Sequence, residues 1–313
     1  LKAKRGDDAV QQVVLGNEVP SASIALGCMR MAGLELQQAE RMIHTALEEG
    51  VDLFDHADIY GGGRSESVFG EVLKQNPGLR DKMLIQGKCG IRKGFYDASA
   101  EHILASVDQS LQRLGVETLD ILLLHRPDAL FEPEEIAEAF RTLHQAGKVR
   151  YFGVSNFNSG QIQLLKKFVD QRLIVNQLQF SLVHTALIDS GMNVNIRYDH
   201  GRDYTGHTLE YCRLQEITIQ AWSPFQYGMI EGVFLENPKY EKLNRQIRLL
   251  AEQKGVSDSA VAVAWIIRHP ARMQTIVGTM NEERLRSICA AAKVSLTRQE
   301  WYSLYLAAGN PLP

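Results

Sequence analysis

A closed barrel of eight parallel β-strands ringed by helices, the (β/α)8 TIM barrel, is the architecture this chain predicts, and three features point to it. Apolar, β-prone runs at 51–54, 83–86 and 119–124 show no polar alternation, as suits strands covered on both faces. Strand and helix signals then alternate from about residue 23 to 294, the pattern of right-handed βαβ units on a parallel sheet. Finally, no strand leads into a GxGxxG turn that opens a helix, so an open doubly wound sheet would lack its phosphate loop.

Taken in order, residues 10–20 (VQQVVLGNEVP) read as a short hairpin turning at Gly16 and Asn17. It precedes the first barrel strand and is placed to cover the barrel's N-terminal end. The eight strands are expected at 23–26, 51–55, 83–87, 119–124, 151–154, 174–179, 218–221 and 274–277. Helices are expected at 37–49, 66–74, 100–114, 133–146, 159–168 and 208–214, in a helix-rich stretch over 240–268, and at 282–292. Caps support several of these. Ser99 precedes the third helix, Pro133 with Glu134 and Glu135 suits a first turn, Gly147 stops that helix, and Asn158 or Ser159 can cap the next. Gly61, Gly62 and Gly63 follow the second strand without the spacing or trailing lysine of a P-loop, so they read as a turn into a helix. Residues 183–207 form a long polar loop after strand six, and a loop of that length in a compact domain is usually functional or mobile. Trp301, Tyr302, Tyr305 and Leu306 fall at helical spacing in the tail, which reads as an extra packed C-terminal helix. The 313 residues are expected to form a single domain.

The bulk numbers narrow the function. With 45% hydrophobic and 23% charged residues and a net charge of −3, the chain offers no field to attract nucleic acid or an anionic membrane. No apolar run is long enough to span a bilayer. The opening LKAKRGDDAVQQ lacks the apolar stretch of a signal peptide, and a start at Leu1 leaves room for a trimmed N-terminus. Cys28, Cys89, Cys212 and Cys289 are scattered without a CxxC pair, which suits a reducing, cytoplasmic setting. Each reads as a small buried apolar residue without a redox role.

The polar residues that end the apolar runs carry the chemistry. Asp55 and Tyr60 stand in FDHADIYGGG, Lys88 in MLIQGKCG and His125 in LDILLLHRPD. Parallel barrels place their catalytic groups at such C-terminal strand ends. A phenol alone is a poor acid, with a pKa near ~10. The Lys88 ammonium is expected to favour phenolate and pull Tyr60 toward the working range. Asp55 would hold Lys88 protonated through an ion pair, and His125 would donate to, or share a proton with, the oxygen that Tyr60 protonates. Such a set suits placing a proton on a carbonyl oxygen while something else reduces the carbon. His56 alternates to the other side of its strand and reads as a packed or supporting residue. His184, in the loop after strand six, is a candidate for the substrate mouth. No HxH or HExxH spacing occurs, and no metal is expected.

On these residues the chain resembles the aldo-keto reductase family nearly end to end, and within it a bacterial branch of oxidoreductases. FDHADIYGGGRSE matches the DxAxxYG segment, GKCG carries the lysine and LLLHRPD the histidine, while GKVRYFGVSNF and AWSPF complete the match. The resemblance implies a catalytic tetrad of Asp55, Tyr60, Lys88 and His125, with Tyr60 the general acid and NADPH the hydride donor. It also implies that Ser155, Asn156 and Gln177 bind the nicotinamide carboxamide. Trp222, with Ser223 beside it, falls where the family often stacks a tyrosine on the nicotinamide ring. After strand eight, Gly278, Thr279 and Arg284 fall at the adenosine 2′-phosphate. Two departures stand out: Gly278 replaces a lysine that some members use, and Ser287 and Ile288 replace a Glu-Asn pair that contacts adenine. NADH therefore stays open beside NADPH. Met29 and Arg30, after strand one, are candidates for cofactor contact, and Met29, Phe95 and His184 for the substrate pocket.

The expected activity is NAD(P)H-dependent reduction of an aldehyde or ketone by a monomer acting on a small carbonyl substrate. The alternative is an NADPH-binding sensor or regulatory subunit with little turnover. A barrel glycosidase or lyase would want paired carboxylates or a metal, whereas Asp55 stands with a lysine and a tyrosine.

Overall fold

The computed structural model describes residues 11–197 and 201–312. The chain enters through a hairpin of β1 (Gln12–Leu15) and β2 (Val19–Ala22), then runs β3 (Ile24–Gly27), α1 (Leu36–Glu48), β4 (Leu53–Asp55), α2 (Arg64–Gln75) and β5 (Leu84–Cys89). A small hairpin, β6 (Ile91–Arg92) and β7 (Phe95–Tyr96), precedes α3 (Ala100–Leu114), β8 (Leu119–Leu124), α4 (Pro133–Gln145), β9 (Val149–Ser155), α5 (Ser159–Leu165) and β10 (Leu173–Gln179). Next come α6 (Ala186–Met192), α7 (Thr208–Leu214), β11 (Thr218–Trp222) and a second hairpin, β12 (Gln226–Tyr227) with β13 (Gly232–Val233). The chain ends with α8 (Glu241–Lys254), α9 (Asp258–Ile267), β14 (Gln274–Val277), α10 (Glu282–Cys289) and α11 (Arg298–Ala307). Strands β3, β4, β5, β8, β9, β10, β11 and β14 close into one parallel barrel in that order. Among the described residues, no helix is long and apolar enough to cross a membrane.

The N-terminal hairpin seals the bottom of the barrel. Val13, Leu15 and Val19 pack with the lumen residues Ala25, Leu53, Ile121, Leu123, Val175 and Ile276 in one buried cluster, each large apolar side chain contributing roughly 1.5–3 kcal/mol. The turn demands its glycine. Gly16 has φ +57°, and a Cβ there would stand 2.5 Å from Ile174 Cβ. A second, larger apolar layer fills the space between strands and helices, with Phe54, Phe69, Phe140, Phe152 and Trp265 among its buried members.

The helices start where capping chemistry places them. Ser99 accepts from the His102 N–H at the head of α3, and Asn158, with Gln161, forms a reciprocal capping box on α5. The stretch over 240–268 divides because Gly255 takes φ +65° to end α8, and Ser257 caps α9. The loop expected over 183–207 contains α6. Leu187 and Ile188 are buried, and Asp189 accepts from Thr185 Oγ1 at 2.9 Å and from Tyr305 O–H at 2.7 Å. Part of that loop, 198–200, lies outside the described residues. The tail helix packs through Trp301, Leu304 and Tyr305, while Leu306 is exposed. Trp301 stacks on Trp265 at 4.7 Å, and each indole N–H donates to the other residue's carbonyl.

Candidate active site

Asp55 ends β4 in register with Gly27 on β3 and Gln86 on β5. Backbone pairing continues one step past the strand, with His56 N–H donating to Gln86 O at 2.7 Å and Asp58 N–H to Lys88 O at 3.0 Å. This fixes the turn that presents Tyr60. Gly61, Gly62 and Gly63 all have positive φ, and a Cβ on Gly61 would stand 2.5 Å from Ala32 Cβ. The glycine run is therefore a turn into α2, as its spacing suggested.

Lys88 is the penultimate residue of β5, with its side chain fully buried and its three donors all used. Nζ reaches Asp55 Oδ2 at 2.7 Å, the His56 carbonyl at 2.9 Å and the Tyr60 hydroxyl at 3.2 Å. Asp55 Oδ1 also accepts from Gln86 Nε2 at 2.6 Å and Gln177 Nε2 at 3.1 Å. Burial works to lower the Lys88 pKa, but the Asp55 carboxylate and then Tyr60 outweigh it, and the ammonium is held above its usual value. Tyr60 departs from the sequence expectation. Burial raises its pKa by more than Lys88 lowers it, so the phenol is pushed up rather than down. Tyr60 thus holds its proton across the neutral range.

His125 follows β8, its N–H bonded to Cys89 O at 2.8 Å, and its ring stands edge-on to Tyr60 with centroids 5.9 Å apart. Burial, then Lys88 and Arg126, hold it well below the usual imidazole range, so it is neutral. His56 is fully buried edge-on to Phe69 at 4.5 Å, supporting Lys88 through its carbonyl rather than its ring. The four cysteines are free and buried, and burial pushes the thiols of Cys28 and Cys89 well up, which makes them inert.

Asp55, Tyr60 and His125 line one end of a cleft of about 920 Å³ at the C-terminal face of the barrel, with Lys88 buried beneath. Ser155, Asn156, Gln177 and Trp222 line the same cleft, with Ser223 next to them. Ser155 Oγ donates to Gln177 O at 3.0 Å, and Asn156, at φ +64°, donates to Ser155 Oγ at 2.8 Å and to His125 O at 3.3 Å. Trp222 Nε1 donates to Asn156 Oδ1 at 3.1 Å, and the Arg126 guanidinium lies 5.8 Å from the Trp222 ring. At the far end Met29, Arg30, Gly278, Thr279 and Arg284 line the wall. Arg30 Nη1 donates to Gly278 O at 2.9 Å. A Cβ at 278 would come within 3.3 Å of that Nη1, so the glycine leaves room for Arg30. Arg286 is held by Glu48 and Glu49, and Arg41 by Glu282. Arg30 and Arg284 have no ion-pair partner among the described residues.

Two expected pocket residues lie elsewhere. Phe95 sits on the exposed β6–β7 hairpin against Arg92, whose guanidinium is 5.3 Å from the ring. His184 lines a separate cavity of about 310 Å³ with Thr185, Asp189 and Asn310. Both are drawn away by local structure: the hairpin turns outward, and the bridge Ser181↔His184 leads into α6. Conversely, sequence reasoning missed Ile59, Arg126 and the β12–β13 hairpin, whose Met229, Ile230 and Val233 line the cleft. Gly228 and Gly232 bracketing that turn were the available signal.

The Aldo/keto reductase family model matches residues 23–305. A protein of Agrobacterium fabrum named 6-dehydroglucose reductase is 34% identical, covering 96% of this chain and 98% of its own length. Oxidoreductase YdhF of Escherichia coli is also 34% identical, with coverage of 96% and 98%. The solved aldo/keto reductase of Klebsiella pneumoniae in complex with NADP and acetate superposes with a TM-score of 0.76 at 25% identity, covering 96% of both chains. The chain belongs to the aldo/keto reductase family of oxidoreductases.

Proposed function

We propose that this protein reduces an aldehyde or ketone to the alcohol with NADPH, and that Tyr60 delivers the proton. One observation carries the reading: the Tyr60 hydroxyl sits 3.2 Å from an ammonium whose charge is fixed by Asp55. The cofactor fits the residues present. Gln177 and Ser155 offer polar atoms, and Trp222 a flat aromatic face, where a nicotinamide would lie. Arg30 and Arg284, both without an ion-pair partner among the described residues, stand with the Thr279 hydroxyl where a phosphate would lie. Arg30 thereby offers the second cation that Gly278 withholds, which favours NADPH over NADH.

When bound, NADPH supplies the hydride that reduces the carbonyl carbon. Tyr60 passes its proton to the carbonyl oxygen, and the phenolate left behind is stabilised by Lys88 through the same contact. Neutral His125 orients that oxygen without competing for the proton. Ile59, Arg126 and the β12–β13 hairpin bound the substrate space. Because the A. fabrum relative is named for a sugar aldehyde, aldehydes of sugars head the substrate panel.

The test combines binding with turnover. NADPH should quench tryptophan emission, and an aldehyde in the panel should consume it. Tyr60→Phe should lower kcat about 10²–10⁴-fold, the usual worth of general acid catalysis, with the NADPH Kd changed less than threefold. Full turnover in Tyr60→Phe sinks the assignment of the acid. Tight NADPH binding with no turnover across the panel would instead support the sensor alternative.

A further inference from the structure

Beside its apolar cluster the barrel lumen contains a chain of side-chain amides. Gln177, Gln220 and Gln274 are register partners on β10, β11 and β14, and Gln86 reaches them across the lumen from β5. All four are buried. The Gln86 and Gln177 amide nitrogens both donate to Asp55 Oδ1, and both also donate to Gln220 Oε1, at 2.9 and 3.0 Å. Gln220 Nε2 in turn donates to Gln86 Oε1 at 3.0 Å and to Gln274 Oε1 at 2.8 Å. Gln274 Nε2 donates to the Ala22 carbonyl at 2.6 Å and to Ser21 Oγ at 2.9 Å, and Ser21 O–H donates to Asp52 Oδ1 at 2.8 Å.

The direction of this chain is determined at both ends. An ionised Asp55 and a backbone carbonyl can only accept, so each amide between them has one permitted orientation. Turning any one over would set oxygen against oxygen or N–H against N–H in a buried site, which costs more than one hydrogen bond. The consequence falls on Gln177, the member that lines the cleft. Both of its N–H groups are committed to Asp55 and Gln220, and among the described residues no donor is bonded to its Oε1. The amide therefore offers the cleft an acceptor.

We propose that Gln220, supported by Gln86 and Gln274, is a positioning residue: together with Asp55 it fixes the orientation of the Gln177 amide so that Oε1 receives the N–H of the nicotinamide carboxamide. This rests on the cofactor reading above.

The test uses two cofactors that differ in that one donor, NADPH and its 3-acetylpyridine analogue, in which a methyl ketone replaces the carboxamide. Their Kd values are read from tryptophan quenching in wild type, Gln220→Met and Gln274→Met. The second variant touches neither Asp55 nor the cleft, and serves if the first folds poorly. The wild type should favour NADPH by about tenfold, the scale of one hydrogen bond. Gln220→Met should lower that ratio about threefold, because Asp55 still holds one Gln177 N–H, and Gln274→Met should lower it by less, while the Kd for 2′,5′-ADP, a probe of the phosphate end alone, stays within about twofold. A loss common to both cofactors and 2′,5′-ADP would mark a purely structural role and overturn the inference, as would an unchanged ratio in both variants. Failure of the wild type to bind NADPH would instead overturn the cofactor reading, and this inference with it.

Discussion

Lys88→Met offers the sharpest separation of stability from catalysis. The Lys88 side chain is 0% exposed and that of Asp55 3%, so the substitution leaves an uncompensated carboxylate in the barrel. Breaking a buried pair from one side costs about 3–5 kcal/mol. Asp55 keeps the Gln86 and Gln177 donors at 2.6 and 3.1 Å, which places the expected loss near the lower figure, about 3 kcal/mol. That is roughly a hundredfold in the folding constant at ~1.4 kcal/mol per decade. The double variant Asp55→Asn/Lys88→Met removes both charges. It should return to within about 1–2 kcal/mol of wild type, the residue being the His56 carbonyl left without its donor. Neither variant should reduce an aldehyde at more than about a hundredth of the wild-type rate, because the phenolate of Tyr60 has lost its ammonium. Urea unfolding followed by fluorescence and circular dichroism reads the first quantity, and NADPH consumption reads the second. If the single variant proves no less stable than the double, the pair is not a buried charge pair in the working protein. If the double variant turns over within tenfold of wild type, Lys88 is not what stabilises the Tyr60 phenolate.

Two further outcomes follow from the same coordinates. Arg30→Ala and Arg284→Ala should each weaken NADPH about tenfold or more, the worth of a hydrogen bond to a charged group, and leave NADH within threefold; equal weakening of both cofactors in the quenching titration would remove these arginines from the 2′-phosphate. His56 is buried with both ring nitrogens unpartnered among the described residues, and burial, then the Lys88 charge, lowers its pKa to about 3. Between about pH 6.5 and 3 the unfolded imidazole binds a proton that the folded one refuses, so stability falls as pH falls. His56→Leu should therefore be more stable relative to wild type at pH 4 than at pH 8, by about 3 kcal/mol. A pH-independent difference in urea midpoints would show that His56 is solvated or partnered in solution.

The barrel was legible because the strands at the site, β4, β5 and β8, are mostly apolar stretches with polar residues at or just past their ends. Asp55, Lys88 and His125 stand at such ends, so the topology that orders the strands also gathers the site. The hairpin was legible from Gly16 and Asn17 for a local reason, a turn that demands positive φ. What escaped was non-local or a matter of balance. Gln86 in MLIQGKCG looks like a single polar interruption, and its meaning lies in Gln220, 134 positions away in sequence. The ammonium beside Tyr60 was visible in the motifs, but not the burial that outweighs it. Helix α6 is too short for its periodicity to show, and its core side depends on Tyr305 reaching Asp189 from the far end of the chain.

The lumen thus holds two kinds of side chain: apolar ones pack against the hairpin, and beside them an amide chain runs from Asp55 beneath the cleft down to the hairpin's Ser21 and Ala22. An all-apolar lumen would pack at least as well, yet would leave Asp55 with Lys88 as its only polar neighbour, and burying a charge without further hydrogen bonds is expensive. Neutral amides solve this without adding charge. They satisfy Oδ1 while leaving Oδ2 to Lys88, so the carboxylate is held by three donors, and a single net positive group, the ammonium, faces the Tyr60 oxygen. The Asp55–Lys88 pair is neutral overall and therefore tolerable inside the barrel, but its dipole is oriented with the positive end toward the acid. The support that Lys88 lends a Tyr60 phenolate, which burial outweighs in the resting site, is consequently a property of direction, not of net charge, and the amide chain running down to Ser21 and Ala22 is what fixes that direction to the rest of the fold.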